Sequence, residues 1–289
     1  SLAAVLLFPN QVLADEQSPQ RWVTAGGALS EWVVELGGEA RLVGVDTTSQ
    51  HPASLSRLPS IGYQRQLAAE GILSLQPELL VGSEEMGPPP VLAQLRAAGV
   101  TVEVLPSTPN LATLAANLQR LGELLGAPQR ASAHFDAYRR ALERQAGWLA
   151  QAPQPAPRVL LVVGHAGASP LAAGHGTAGA WLVEQAGGRN LPKHEGYKTL
   201  STEALLALDP EVLVIADRQL DGDAARDALL VQNPALAATS AVRNGRLLTL
   251  DPTLLVGGLG PRVPDGLAAL SAAFYPARQP LVVEASSSL

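Results

Sequence analysis

Leu67–Ser83 reads LAAEGILSLQPELLVGS and Leu200–Ala216 reads LSTEALLALDPEVLVIA. Aligned without gaps, they share Leu67/Leu200, Glu70/Glu203, Leu73/Leu206, Leu75/Leu208, Pro77/Pro210, Glu78/Glu211, Leu80/Leu213 and Val81/Val214. Gly62-Tyr63 introduces the first copy and Gly196-Tyr197 the second. Upstream, Trp32-Val33-Val34-Glu35 before Gly37-Gly38 is echoed by Trp181-Leu182-Val183-Glu184 before Gly187-Gly188. The copies lie too far apart for a solenoid and about one domain apart, so the chain reads as two similar lobes facing a cleft. Each lobe offers that cleft a tyrosine.

Within each copy, helically spaced apolar residues (Leu67, Leu73; Leu200, Leu205, Leu206) give way at Gln-Pro or Asp-Pro to a short apolar run. Proline disfavours the α conformation in the residue before it and ends the helix. Leu79-Leu80-Val81 and Val212–Ala216 are too short for helices and apolar throughout, as strands buried on both faces of a parallel sheet are. Thr101–Leu105 and Arg246–Leu250 repeat the pattern. The expected fold is α/β: two similar lobes with mainly parallel sheets, a ligand cleft between them, and a single long helix as bridge. The bridge is Pro128 to Ala150, where Tyr138, Ala141, Leu142, Trp148 and Leu149 form one stripe. At 1.5 Å per residue its roughly 22 residues span about 33 Å. The boundaries read as an N-terminal lobe at 15–128, the bridge at 129–152 and a C-terminal lobe at 153–289.

Only 16% of the 289 residues are charged and the net charge is −6. With no basic stripe, nucleic acid is not an expected partner. The absence of cysteine removes disulfides, thiolate metal sites and a cysteine nucleophile. Leu2–Ala14 is apolar, ends in Val12-Leu13-Ala14 and runs into Asp15-Glu16-Gln17-Ser18, so residues 1–14 read as the remainder of a signal peptide. Without a cysteine at that junction no lipid anchor is expected. The expectation is a soluble, exported, monomeric protein of the periplasm.

SIGYQRQLAAEGILSL (Ser60–Leu75), EEMGPPP (Glu84–Pro90) and LLVGGLGPR (Leu254–Arg262) resemble the periplasmic haem-binding proteins of bacterial haem ABC importers, most closely the Pseudomonas-type carriers. The similarity runs from about Arg21 to Tyr275. It implies ferric haem as cargo, an inner-membrane ABC permease as partner, and Tyr63 as the axial iron ligand. Phenolate is a hard anionic donor suited to ferric haem. A free phenol titrates near 10; iron supplies most of the help it needs to ionise, and a nearby cation such as Arg65 adds more. Tyr197 is the mirror candidate, as ligand, stacking wall or packing residue, and is expected to stay a neutral phenol near its reference value. Some relatives add a histidine from the second lobe, which singles out His165 and His175. Arg218 and Arg262 are candidates for propionate or cleft contacts. Docking on the permease would use acidic residues, with Glu84 or Glu85 and Asp221 or Asp223 as counterparts.

Other ligands and activities have weaker footing. A ferric siderophore or a cobalamin would suit the same fold but needs no protein tyrosinate. An enzyme would need a nucleophile with its base, or a metal cluster, and neither is legible; His51, His134 and His194 lack metal-ligand spacing. Gly174-His175-Gly176-Thr177-Ala178-Gly179 matches G-x-G-x-x-G, but the clear strand before it ends at Gly164. A dinucleotide site needs the strand directly before the glycines, so they read as loop and helix-start chemistry.

Overall fold

The computed structural model describes residues 19–164, 169–217 and 222–283. The signal-peptide segment at 1–14 and the candidate residues His165, Arg218 and Asp221 lie outside the described residues. In the N-terminal lobe, strands Trp22–Ala25 (β1), Leu42–Val45 (β2), Leu79–Ser83 (β3) and Thr101–Leu105 (β4) form a wholly parallel sheet in the order β2-β1-β3-β4. Helices Gly27–Glu35 (α1), Ala69–Leu73 (α2), Pro89–Ala97 (α3) and Leu111–Leu125 (α4) connect and flank them. Helix Pro128–Leu149 (α5) follows, with proline at the first position, where its missing N–H costs nothing.

The C-terminal lobe contains β5 (Arg158–Gly164), β6 (Leu171–Ala173), α6 (Ala178–Gln185), β7 (Arg189–Asn190), β8 (Tyr197–Thr199), α7 (Thr202–Leu208), β9 (Val212–Asp217), α8 (Gly222–Gln232), α9 (Ser240–Arg243), β10 (Leu247–Leu250) and α10 (Val263–Phe274). Strands β7, β5, β9 and β10 are parallel neighbours, in the same spatial order as β2, β1, β3 and β4. The duplication is therefore one of topology as well as sequence. Strands β6 and β8 add an antiparallel extension with no counterpart among the described residues of the first lobe.

The backbone repeats too. Gly62 and Gly196 both have positive φ (87° and 72°), as do Gln76 and Asp209, the residues before the paired prolines (51° and 37°). These are the two non-glycine residues with positive φ among those described. The prolines do exclude the right-handed helix, but the chain escapes into the left-handed region rather than the extended one. Helices α2 and α7 begin at Ala69 and Thr202, so Leu67 and Leu200 precede them instead of opening them.

Alternation along the strands distributes the core. Trp22, Leu79 and Val81 in one lobe, and Val159, Leu161, Val212 and Val214 in the other, join a single apolar cluster that also holds Trp32, Tyr138, Leu259 and Leu267. The residues between them face outward into separate clusters, Val23 and Leu80 with Leu95, and Leu160, Leu213 and Ile215 with Leu229. The inner faces of both lobes are thus one core, threaded by α5. Buried Gln145 of α5 pins the layer by donating to Ser271 Oγ of α10 (2.5 Å) and to the Gln185 carbonyl of α6 (3.4 Å).

Tyr138 of α5 is buried, and its hydroxyl donates to the Gly260 carbonyl at 3.1 Å. Burial lifts its phenol well above the ordinary value, with the Glu31 charge adding to the rise. A raised folded value contributes stability that is complete below the unfolded value near 10 and lost as pH climbs through the folded one. Tyr138→Phe should cost about 1 kcal/mol at neutral pH and flatten the alkaline decline. Urea unfolding at pH 7 and above pH 10 checks both.

Candidate functional site

Loops at the carboxyl ends of both parallel sheets meet, where ligands of open α/β folds bind. After β2, His51 Nε2 lies 2.9 Å from Asp251 Oδ2, directly after β10. After β3, Glu85 Oε2 accepts the Gly257 N–H at 3.3 Å. The segment Val256–Gly260 is a tongue from the C-terminal lobe laid against the first. Its Val256 carbonyl takes the Ala28 N–H (3.4 Å), and its Leu259 carbonyl takes the Trp32 indole N–H (2.8 Å). A Cβ on Gly258, whose φ is +86°, would stand 3.3 Å from the Ser107 Cα, so the close approach needs glycine.

Beside the tongue, Arg262 donates to Glu31 Oε1 (2.7 Å), Asp251 Oδ2 (3.2 Å) and Thr253 Oγ1 (2.7 Å). In this structure its guanidinium joins the two lobes through these bonds; the sequence offers it as a candidate for propionate or cleft contacts. Burial raises the Glu31 carboxyl, while Arg262 pulls it the other way. Asp251 is held below its ordinary value: burial opposes this, and hydrogen bonds from Thr253 with the charges of Arg262 and His51 outweigh it.

Tyr63 is half-buried in the loop between β2 and α2. That loop is fastened from both sides. Val45 and Ser60 form a parallel bridge, the Gly62 carbonyl takes the Thr47 N–H (3.0 Å), and the Tyr63 carbonyl takes the Gln66 N–H (2.8 Å). Arg65 sits on the turn just beyond, exposed and without an ion pair to any described residue. Sequence reading passed over Gln64. It is 1% exposed, and its Nε2 donates to Glu85 Oε2 at 3.0 Å. Its Oε1 has no hydrogen-bond partner among the described residues, a state that costs about 1–3 kcal/mol.

The second tyrosine has a different setting. Tyr197 opens β8 and its hydroxyl accepts the Gly179 N–H at 3.1 Å, at the N-terminus of α6. Burial raises its phenol, and the charge of Glu85 adds to this, against hydrogen bonds from Gly179 and Thr177. Its phenol thus lies above the reference value, where the sequence expectation is a value near it. The G-x-G-x-x-G stretch is explained here. A strand, β6, does precede it directly, contrary to the sequence reading, but it is antiparallel. Tyr197 occupies the α6 terminus, and a Cβ on Gly174 would lie 2.1 Å from the His194 carbonyl. His175 is exposed, and its backbone pairs with that of Glu195 in an isolated parallel bridge.

Of the acidic docking candidates, Glu84 is exposed and accepts from Ser107 N and Oγ (3.0 and 3.1 Å). Asp223 is exposed and pairs with Arg226 at 2.7 Å. Glu85 faces inward. Among the described residues no helix is long and apolar enough to cross a membrane.

Arg262→Ala should leave Glu31 without its cation and Asp251 with only His51 and Thr253, and cost about 2–3 kcal/mol, below the ~3–5 kcal/mol of a fully buried pair because the Arg262 side chain is 30% exposed. Denaturant unfolding measures this, with Arg262→Lys recovering part. Unchanged stability with weaker binding of a carboxylate-bearing ligand would return Arg262 to the ligand.

The periplasmic binding protein family model matches residues 23–254. A periplasmic haem-binding protein of Pseudomonas aeruginosa is 66% identical over 91% of this chain and 95% of its own, with a TM-score of 0.90. The periplasmic haem-binding protein RhuT of Roseiflexus sp. RS-1 is 34% identical over 90% of this chain and 99% of its own (TM-score 0.81). The vitamin B12 binding protein BtuF of Vibrio cholerae shares the fold at 22% identity, covering 90% of this chain and 98% of its own (TM-score 0.75). A doubled α/β topology, matched over nearly its whole length, places the chain in the periplasmic binding protein family, among the relatives of the periplasmic haem-binding proteins.

Proposed function

We propose that this chain is the binding component of a bacterial haem importer: it captures ferric haem in the cleft between its lobes and delivers it to an inner-membrane ABC permease. The observation that carries this reading is a half-buried tyrosine, Tyr63, held on a fastened loop at the carboxyl end of the first sheet, in a chain 66% identical to a haem-binding protein. Tyr63 is the axial ligand, and its phenolate meets the iron as a hard anionic donor. Arg65 supplies a cation beside it. Tyr197, half-buried and bonded to Gly179, faces the porphyrin as a neutral wall. The protein acts as a monomer in the periplasm, and the exposed carboxylates of Glu84 and Asp223 meet the permease.

Haemin added to the purified protein should give a five-coordinate high-spin ferric spectrum with a phenolate charge-transfer band. Tyr63→Phe should remove the band and weaken binding at least tenfold, whereas Tyr197→Phe should keep the band and change affinity by no more than a few fold. A band that survives Tyr63→Phe and vanishes with Tyr197→Phe would move the ligand to the second lobe. Indifference to haemin, with tight binding of a ferric siderophore or a cobalamin, would overturn the reading altogether.

A further inference from the structure

Gln64, the residue after Tyr63, and Glu85, on the loop after β3, are joined in a way that the binding reading does not use. The Gln64 side chain is 1% exposed and reaches Glu85 Oε2 at 3.0 Å. The same oxygen accepts the Gly257 N–H of the tongue at 3.3 Å, bringing the C-terminal lobe into the contact. The two loops are tied along their backbones as well. The Gly87 N–H donates to the Gln64 carbonyl (2.8 Å), and the Leu67 N–H donates to the Gly87 carbonyl (2.9 Å). Glu85 is itself set by its N–H, which donates to the oxygen of fully buried Ser83 at 3.2 Å.

A buried amide whose oxygen has no partner among the described residues is an arrangement that packing alone does not favour; an apolar side chain of the same size would avoid it. What the amide provides is a directed N–H to a carboxylate, a charge-assisted bond that fixes distance and angle together. Its position, one residue from Tyr63, suggests what is being fixed. An axial ligand must present its oxygen in a narrow range of angles, and loop residues hold such geometry only when neighbouring groups lock them.

We propose that Gln64 and Glu85 form a positioning clamp for Tyr63, holding its loop at the orientation needed for iron and, through Gly257, referring that orientation to the opposite lobe. The clamp rests on the reading of Tyr63 as the haem ligand. Glu85 is then an internal strut rather than a permease contact. Tyr197 has a different setting: it is followed by Lys198 and lies in an antiparallel strand pair.

The test uses the whole protein loaded with haemin. Gln64→Ala, Gln64→Met, Glu85→Ala and Glu85→Gln are compared for the charge-transfer band, the rhombicity of the high-spin ferric electron paramagnetic resonance signal, and the rate of haem loss to an excess of apoglobin. Gln64→Met keeps the volume should Gln64→Ala fail to fold. The clamp predicts that Gln64→Met and Glu85→Ala shift the band, broaden the resonance and speed haem loss about tenfold. Glu85→Gln, which keeps an acceptor oxygen, should restore most of the wild-type behaviour, and the Gln64→Met/Glu85→Ala double variant should be no worse than the poorer single one. Wild-type spectra and loss rates in Gln64→Met and Glu85→Ala overturn the clamp. So does a Glu85→Gln that behaves like Glu85→Ala. Tyr63→Phe in parallel separates the two ideas: if it abolishes the band while the clamp variants leave it untouched, the clamp alone falls. If the band survives Tyr63→Phe, the ligand reading falls and the clamp with it.

Discussion

Two buried donors and two carbonyls hold the lobes in register. The indole N–H of Trp32 and the hydroxyl of Tyr138, with rings 5.7 Å apart, end on the carbonyls of Leu259 and Gly260. Each bond is worth only about 1 kcal/mol net, but a buried donor left without an acceptor costs about 1–3 kcal/mol. The tongue must therefore lie where these two aromatics point. Once it does, Gly257 meets Glu85 and Arg262 meets Glu31, and the separation of the two lips follows. Helix α5 supplies Tyr138 from one side and α1 supplies Trp32 from the other, so first lobe, bridge and second lobe converge on five residues of loop.

The doubled architecture was legible in the sequence because its signals are local. Continuous apolar runs, the prolines at Pro77 and Pro210, and the Gly-Tyr pairs each act within a few residues, and the parallel strands fell where those runs lie. The bridge was legible from its stripe, although buried Gln145 interrupts it with a polar residue whose purpose, a bond to Ser271, lies 126 residues away. The β6–β8 pair was missed, since strands of three residues are too short to show alternation. The seam was also out of reach: Trp32 and Leu259 are 227 positions apart, and nothing near either one announces the other. Arg262 shows the same limit. As a sequence feature it was a loose cation near a loop, and its partners come from α1 and from the turn after β10.

Symmetry in the chain does not give symmetry in chemistry. Gly62-Tyr63 and Gly196-Tyr197 share a positive φ at glycine, yet one tyrosine ends in a fastened loop and the other in an antiparallel strand with its oxygen on a helix terminus. The difference arises from the β6–β8 extension, which draws one copy of a common motif into a strand. Duplicated halves can diverge in this way at little cost to the core, because the strands that carry the core are the part both halves keep.

The shared inner cluster also bears on how freely the lobes can separate. Prying the lobes apart would pull Leu259 and Val263 away from Trp32 and expose apolar surface at about 25 cal/mol per Å², while separating Arg262 from Glu31. Opening the cleft is therefore work against the inner core itself. Any motion that widens the cleft must loosen the hold of both lobes on that core at once, so its cost is set by the seam and not by either lobe alone.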